Sequence, residues 1–266
     1  MTDSGTRVLC ADIGNTSVKL GLFSGGILRF HSSFKTVVDG SEDEYAVKFA
    51  GIFALYGEKT EISGAIISSV VPPLTNSVAA AIRRLFGVGA SAVGPGVRTG
   101  LDIRVENASQ IGADIVADVV GAFALVSPPF AVIDFGTATT VTSINRAGAL
   151  CGVAILPGIR VSLASLSERA AELSDVSLHP PKALLGRNTA DSMNSGVLWS
   201  AALAADGYIE AIAAQDNEPD MKAVVTGGLS KLVTPLMRHA PLISQTLVLD
   251  GLYAIWCRNA RPALRE

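Results

Sequence analysis

The sequence predicts an α/β protein built from two related halves, and two observations carry that prediction. A short apolar run followed by Asp, one apolar residue, Gly and small hydroxyl or amide residues occurs twice, at residues 8–17 and 130–140. Short apolar runs bounded by turn residues are typical of buried strands, so we expect both aspartates at strand ends. Asp12 and Asp134 lie 122 residues apart in a chain of 266, which favours duplication of one ancestral half-molecule. We expect the two turns to face each other across a cleft.

The residues of these turns suit the binding of phosphate. Glycine allows a tight turn in which backbone N–H groups approach an anion, and a neighbouring carboxylate can hold a cation that is itself bound to phosphate. A single strand–Asp–x–Gly turn is common, however, and its Asp often does no more than bond its own backbone. Because two such turns occur, each followed by Thr residues, we take phosphate handling as the leading hypothesis.

Composition and charge argue against several classes of partner. Hydrophobic residues make up 49% of the chain and aromatic residues 6%, which fits an α/β enzyme with one large or two small domains. The net charge is −3 and no basic run occurs, so we expect no nucleic-acid partner. The first residues lack the pattern of a signal peptide, and we find no apolar run of membrane-spanning length, so we expect no membrane partner.

Cysteine and histidine usage favours a cytoplasmic protein. The three cysteines, Cys10, Cys151 and Cys257, are isolated and odd in number, as expected of reduced thiols in a cytoplasm. The three histidines are scattered, so the sequence has no zinc-ligand spacing. Cys10 lies within the first apolar run, where we expect it to serve as a small core residue.

The order of predicted elements in the first half indicates a more specific fold. After the first strand, the pattern predicts two strands, a helix, a strand and a helix, at residues 17–23, 27–34, 42–56, 62–71 and 74–86. This order resembles the ribonuclease-H-like half-domain shared by sugar kinases, actin and heat-shock ATPases, which is an analogy of fold. Residues 98–105 are predicted as a strand or an extended loop, and residues 115–125 as a helix.

The second half repeats the pattern. We expect strands at residues 132–134, 140–145 and 150–156, helices at 161–172 and 190–214, a late strand at 223–225 and a closing helix at 247–258. Ser127-Pro128-Pro129 predicts a loop just before the strand that carries the second Asp turn. We therefore place a domain boundary there, which gives ribonuclease-H-like domains of residues 1–127 and 128–266.

Seven short motifs, in combination and in this order, resemble those of the type III pantothenate kinase family. They lie between residue 8 and about residue 252: Asp12-Ile13-Gly14-Asn15-Thr16, Pro72-Pro73-Leu74-Thr75, Gly112-Ala113-Asp114, Asp134-Phe135-Gly136-Thr137-Ala138-Thr139-Thr140, Pro157-Gly158, Gly186-Arg187-Asn188-Thr189 and Thr226-Gly227-Gly228. The resemblance implies ATP-dependent phosphorylation of pantothenate to 4′-phosphopantothenate, the first step of coenzyme A biosynthesis. It also implies a requirement for Mg²⁺ and for a monovalent cation, K⁺ or NH₄⁺. The expected assembly is a homodimer.

The resemblance further implies a role for each matching residue. Asp114 corresponds to the general base that accepts the proton of the attacking hydroxyl, Asp12 to a residue near Mg²⁺, and Asp134 to the residue that holds K⁺ or NH₄⁺. The residues implied in ATP binding are Asp12, Gly14, Asn15, Thr16, Lys19, Thr137, Gly227 and Gly228. The residues implied in substrate binding are Gly112, Ala113, Asp114 and Thr189, the last of them supplied by the neighbouring subunit of the dimer.

Three of these residues also have purely structural interpretations. Asp114 stands where a helix is predicted to begin, so its charge also suits the helix dipole. Lys19 lies on an alternating strand, and the pattern is compatible with a solvated edge lysine as well as with a lysine that faces phosphate. Thr189 is compatible with a helix N-cap, with a substrate contact, or with both.

The sequence departs from the family pattern on the substrate side. Ile115 stands where the family has an Arg, whose guanidinium suits a substrate carboxylate, and Val105 stands where it has a Tyr. A customary Pro is replaced by Ala108, whereas the ATP side is intact. Three functions remain open here: an atypical pantothenate kinase, a kinase for a different small alcohol, and a nucleotide-binding regulator without catalysis. Asp114 argues against the regulator, which has no need of a base.

Overall fold

The computed structural model describes residues 5–169 and 176–260. The elements up to residue 122 are β1 (Arg7–Ile13), β2 (Ser17–Ser24), β3 (Ile27–Lys35), α1 (Glu42–Leu55), β4 (Gly64–Ser69), α2 (Pro72–Phe86), β5 (Ala90–Ala92), β6 (Asp102–Ile103) and α3 (Ala113–Ala122). The predicted order of three strands, helix, strand and helix is therefore present. Of the region 98–105 only β6 is a strand, and the short strand β5 was not predicted.

The remaining elements repeat this order with one long helical insertion. They are β7 (Phe130–Phe135), β8 (Ala138–Ile144), β9 (Ala149–Pro157), α4 (Ile159–Arg169), α5 (Thr189–Gln215), β10 (Lys222–Thr226), α6 (Ser230–Val233), β11 (Leu242–Ile243) and α7 (Leu247–Asn259). The end of the helix predicted at 161–172 lies outside the described residues. The two-residue strand β11 was not predicted.

The strand order of the two sheets confirms the duplicated ribonuclease-H-like fold. The first sheet has the order β3-β2-β1-β4-β5, and the second has the order β11-β10-β7-β8-β9-β6. In the first sheet β2 is antiparallel to both β1 and β3, whereas β4 is parallel to β1 and β5 is parallel to β4. In the second sheet β7 to β9 are antiparallel, and β10 and β11 are parallel to β7. Apart from the extra edge strand β6, each strand of one sheet thus has a counterpart in the other.

The chain divides into two compact units, and each combines segments that are distant in sequence. The first unit contains residues 5–101, 107–121 and 246–260, and the second contains residues 102–106 and 122–245. A single division at residue 127 differs from these units in three places, at residues 102–106, 122–127 and 246–260. β6 pairs with β9 and so belongs to the second unit, whereas α7 packs on β1 and β4 and so belongs to the first.

The core of the first unit lies between its sheet and the helices α1 and α2. Alternate side chains of β1 face this core, and they pack against Tyr45, Phe49 and Phe53 of α1. A capping box fixes the start of α1, since the Ser41 side chain accepts from the backbone of Glu44 while the Glu44 side chain accepts from the backbone of Ser41. These contacts pack one face of β1 against α1, and Asp12 is the last residue but one of that strand.

The long helix α5 forms much of the core of the second unit. Its buried face contributes Met193, Val197, Leu198, Ala202, Ala205 and Ile209, which join Ile133 and Phe135 of β7. By length and composition alone α5 is long and apolar enough to cross a membrane, although no such run was expected from the sequence. Packing of one face against the sheet accounts for a large part of that apolar composition.

Helices α3 and α7 of the first unit approach each other through two glycines. A Cβ at Gly251 would overlap the carbonyl group of Ala117, and a Cβ at Gly121 would overlap the carbonyl group of Leu247. The backbones of the two helices are therefore in direct contact at this crossing. This contact fixes α3, whose first turn carries Asp114.

We predict that Gly251→Ala destabilises the protein because its methyl group must push α3 and α7 apart. Overpacking of this kind typically costs about 1–3 kcal/mol, and each kcal/mol lowers the melting temperature by roughly 2–4 °C for a chain near this size. Differential scanning calorimetry measures the change. The matched control is Gly51→Ala on α1, where no atom lies within 4 Å of the added Cβ. Alanine there should raise stability by about 0.5–1 kcal/mol, and equal effects of both variants would contradict the close helix crossing.

Candidate active site

Asp12 is a buried carboxylate at the end of β1. It is 5% exposed, and it lies in register with Lys19 of β2 on one side and with Ser68 of β4 on the other. The Nζ atom of Lys19 lies 3.5 Å from Oδ2 of Asp12. The Lys19 side chain is 31% exposed, so it reaches from the surface towards the carboxylate. The prediction of a simple solvated lysine is therefore incomplete, because Lys19 pairs with the central aspartate of the turn.

The environment of Asp12 disfavours its charged form. Burial raises the pKa of this carboxyl above its usual value, Lys19 opposes the rise, and the nearby Asp114 adds to it. Oδ1 of Asp12 is buried and makes no hydrogen bond of ordinary geometry within residues 5–169 and 176–260. A buried carboxylate oxygen without a partner is costly unless a ligand completes its coordination. A cation is one ligand that such an oxygen fits.

The residues around Asp12 fit a hydrated magnesium ion better than a cation caged by the protein. The described residues contain no group of three or more His, Cys, Asp or Glu side chains that could hold a metal. Mg²⁺ is usually bound by one or two carboxylates together with substrate phosphates, and it keeps several of its waters. Asp12 and a bound nucleotide together would meet that requirement.

The turn after β1 presents polar groups on a fixed backbone. The Gly14 N–H donates to the Ser17 carbonyl over 3.0 Å, and the Thr36 hydroxyl donates to the Gly14 carbonyl over 2.7 Å. Asn15 and Thr16 are exposed at the tip of the turn. A Cβ at Gly14 would lie 3.1 Å from the Ser17 carbonyl oxygen, so the turn is as tight as the sequence predicts.

Asp114 lies close to Asp12 within the first unit. It is half-buried in the first turn of α3, and its Oδ1 accepts a hydrogen bond from the Ile115 N–H over 2.8 Å. Gly112 makes room for this carboxylate, since a Cβ at that position would overlap Asp114 Oδ1. Asp114 therefore does hold a helix-start N–H, as the structural interpretation requires. It also raises the pKa of Asp12, as expected of two carboxylates that share one site.

The second copy of the motif has the same register in the second unit. Asp134 lies at the end of β7, in register with Thr140 of β8 and Thr226 of β10. A Cβ at Gly136 would lie 3.2 Å from Asp134 Oδ2, and a Cβ at Gly227 would overlap Asp134 Oδ1. Gly227 also has a φ of +95°, a conformation that side chains rarely adopt. Two glycines thus enclose this carboxylate closely.

Two further predicted residues lie near Asp134 in the second unit. Thr137 is exposed in the turn after β7, and the backbone at Gly158 approaches so closely that a Cβ there would overlap the Thr137 carbonyl. Gly228 follows Gly227, and no atom lies within 4 Å of its Cβ position. The second unit therefore brings Asp134, Thr137, Gly227 and Gly228 to one end of its sheet.

The substrate-side residues show one difference from the sequence interpretation. Thr189 is exposed as the first residue of α5, and it is not the N-cap. The cap is Asn188, whose side chain accepts from the Asp191 N–H over 2.8 Å. Ile115 and Val105, at the positions of the family's Arg and Tyr, are both partly exposed. The neighbouring Arg104 pairs with Asp102 at 2.8 Å.

Sequence reasoning missed Ser68. It lies inside a run that was interpreted only as a buried strand, yet its side chain adjoins Asp12. Its position is set by the pairing of β1 with β4, which are separated by more than fifty residues. The only signal in the sequence was a polar pair, Ser68 and Ser69, at the end of an apolar run.

Two sheets of matching strand order, each with an aspartate before a glycine turn, define a protein of the actin, sugar kinase and heat-shock ATPase class. Solved structures with this fold include the activator of 2-hydroxyisocaproyl-CoA dehydratase from Clostridium difficile with bound ADPNP, with a TM-score of 0.58, 12% identity and coverage of 98% of this chain and 100% of that chain. A ROK hexokinase from Thermus thermophilus gives a TM-score of 0.51 at 12% identity, with coverage of 96% and 100%.

Sequence comparison identifies the family within this class. The model of the type III pantothenate kinase family matches residues 8–211. A type III pantothenate kinase from Halalkalibacterium halodurans is 37% identical over 254 residues, which cover 95% of this chain and 99% of that protein. The chain belongs to the type III pantothenate kinase family. It is accordingly an ATP-dependent kinase that phosphorylates pantothenate in coenzyme A biosynthesis.

We predict that Asp12→Asn raises the melting temperature at neutral pH, because it removes a buried charge. An aspartate whose pKa is raised by folding stabilises the protein fully only below its unfolded pKa of about 3.9, and this stability is lost as the pH rises through the folded pKa. The gain of the variant should therefore be near zero at acid pH and grow as the pH rises. Each kcal/mol of relief corresponds to roughly 2–4 °C.

Thermal unfolding of both proteins across pH 4 to 8 tests this expectation. The control is Asp43→Asn, which removes an exposed carboxylate paired with Arg84 and should change stability by less than about 1 kcal/mol. A loss of stability in Asp12→Asn at neutral pH would show that the Lys19 pair outweighs the cost of burial.

Proposed function

We propose that Asp12 and Asp114 form the phosphoryl-transfer site of this kinase, with Asp114 as the base that accepts the proton of the pantothenate hydroxyl. The observation that carries this proposal is the proximity of the two carboxylates in the first unit, where one is buried with an unpartnered oxygen and the other is accessible. The two environments suit two roles: a buried group for a cation and an accessible group for the substrate.

Each motif turn, taken within its own unit, carries groups of the kinds that bind a nucleotide. The turn after β1, which opens at Gly14, offers backbone N–H groups, and the side chains of Asn15 and Thr16 are polar and exposed. Lys19 adds an ammonium group close to Asp12. In the second unit, Thr137 offers an exposed hydroxyl. The backbone at Gly227 passes close to the Asp134 carboxylate, and Gly228 follows it. Mg²⁺ bound at Asp12 would neutralise charge on the ATP phosphates. Phosphoryl transfer requires mostly positioning and charge stabilisation, which groups of these types provide.

Asp134 is proposed to hold a monovalent cation, K⁺ or NH₄⁺. The backbone at Gly136 and Gly227 encloses its carboxylate. Position 227 requires glycine, because any side chain there would displace the carboxylate. Thr226, a buried hydroxyl in register on the neighbouring strand, adds a second type of oxygen ligand. Oxygen ligands are the preference of hard cations.

We propose a cytoplasmic homodimer whose partners are small molecules, without nucleic acid or membrane. The exposed side of α5 carries an apolar side chain between two small residues: Leu203 is 49% exposed, and among the described residues no atom lies within 4 Å of the Cβ positions of Gly196 and Gly207. Small residues on an exposed helix allow another helix to approach closely. Thr189, exposed at the start of this helix, is then available to the substrate of the neighbouring subunit.

We predict that Asp114→Asn lowers turnover by about 10²–10⁴-fold, the usual contribution of a positioned base. Asparagine keeps an acceptor for the Ile115 N–H, so the helix start and the affinity for ATP should change little. Steady-state kinetics with ATP and pantothenate varied, together with nucleotide binding, measure both quantities. Normal turnover in this variant would show that Asp114 is not the base and only accepts the N–H at the start of α3.

We predict that Ile115→Arg lowers the Michaelis constant for pantothenate by roughly 10- to 150-fold and leaves the ATP parameters unchanged. A charged hydrogen bond to a carboxylate is typically worth about 1.5–3 kcal/mol, and the isoleucine can form none. Ile115→Met, which adds length without charge, is the matched control and should bring no such gain.

The same pair of variants separates the alternatives for the acceptor. If Ile115→Arg fails to improve pantothenate and impairs turnover of another small alcohol, the acceptor has changed. Tight pantothenate binding by the unmodified protein would mean that a different group replaces the family's Arg.

A further inference from the structure

Ser68 is the most deeply buried polar neighbour of Asp12. Among the described residues, its hydroxyl makes no ordinary hydrogen bond that connects one element of the fold to another. The residue is 0% exposed at the end of β4, in direct register with Asp12 on the adjacent strand β1. Its Oγ makes no hydrogen bond of ordinary geometry with the described residues, and the same holds for Oδ1 of Asp12. The hydroxyl is nevertheless close enough to lower the pKa of the Asp12 carboxyl. A buried donor thus lies beside a buried acceptor, and a hydrogen bond between them is what lowers the pKa of the carboxyl.

The neighbouring Ser69 shows what a structural hydroxyl does at this point. Its Oγ donates to the Val71 carbonyl over 3.2 Å and accepts from the Thr75 hydroxyl over 2.8 Å, so it ties the end of β4 to the start of α2. Ser68 makes no such bond. Because a buried polar group without a partner costs about 1–3 kcal/mol, an alanine at position 68 would serve the fold at least as well.

The second unit repeats the arrangement independently. Asp134 lies in register with Thr226 of β10, and Thr226 is 4% exposed. In both sheets the residues just before the hydroxyl are buried and aliphatic, Ile66 and Ile67 in one and Val224 and Val225 in the other. A central strand of a parallel sheet is expected to stay apolar. Each half therefore places a buried hydroxyl opposite its aspartate on the parallel neighbouring strand.

We infer that Ser68 is a positioning residue of the kinase: in the enzyme with nucleotide bound, its hydroxyl donates to the Asp12 carboxylate and so orients that carboxylate towards a hydrated divalent cation. Carboxylates that ligate metals are commonly held by such hydrogen bonds, and loss of the supporting group weakens metal binding. The inference rests on the proposed role of Asp12, and it concerns the group that supports Asp12.

The test uses Mn²⁺ as the probe, with a non-hydrolysable ATP analogue. The enhancement of water proton relaxation by protein-bound Mn²⁺ gives the affinity of the unmodified protein and of the variants without any turnover. Ser68→Ala should weaken Mn²⁺ binding by about 10- to 100-fold. Ser68→Thr, the residue type found beside Asp134, should restore it to within about 3-fold of the original. The control is Ser91→Ala, a hydroxyl on β5 that donates to the Ala65 carbonyl and should leave Mn²⁺ binding unchanged.

Kinetics supply a second readout. Turnover of Ser68→Ala should be low at limiting Mg²⁺ and recover at excess Mg²⁺, with the Michaelis constant for pantothenate unchanged. Unchanged Mn²⁺ affinity in a folded Ser68→Ala protein would overturn the inference and leave the role of Asp12 standing. Absence of Mn²⁺ binding to the unmodified protein with the analogue would overturn both. If Ser68→Ala does not fold, Ser68→Cys keeps the volume with a weaker donor, and unchanged affinity there would equally contradict the inference.

Discussion

The burial of one carboxylate at the end of a central strand is the constraint on which the first unit depends. Asp12 is buried within the sheet, and the partly exposed Lys19 pairs with its carboxylate. Keeping a charge there costs free energy, which the large apolar core between the sheet and its two helices offsets. With the role proposed for Asp12, stability and activity oppose each other at this residue, as is common where a protein must hold an incompletely satisfied group for a ligand.

Local pattern was sufficient to predict the fold class and the strand ends that carry the aspartates. The two apolar runs before Asp12 and Asp134 are strands, and the residues after them form the tight turns expected of Gly14 and Gly136. These features depend on residues adjacent in sequence, where steric preferences of glycine and the alternation of burial act directly. The motif residues of each half are accordingly near their aspartates.

What the sequence did not reveal depends on pairing between distant segments. Ser68 adjoins Asp12 only because β4 lies parallel to β1, and α7 belongs with the first unit only because it packs on those same strands. The N-cap of α5 is Asn188, one residue before Thr189. Composition cannot distinguish the two positions, because both side chains can cap a helix. Register and long-range packing decide such cases.

The return of α7 to the first unit has a consequence for how the protein is made. Its residues Leu247–Asn259 are translated after every strand of both sheets, yet they cover β1 and β4, which are among the first elements to leave the ribosome. The second unit has all its segments once residue 245 has been added, whereas the first unit must wait longer with part of its sheet uncovered. Folding during synthesis is thus expected to finish with the unit that began it.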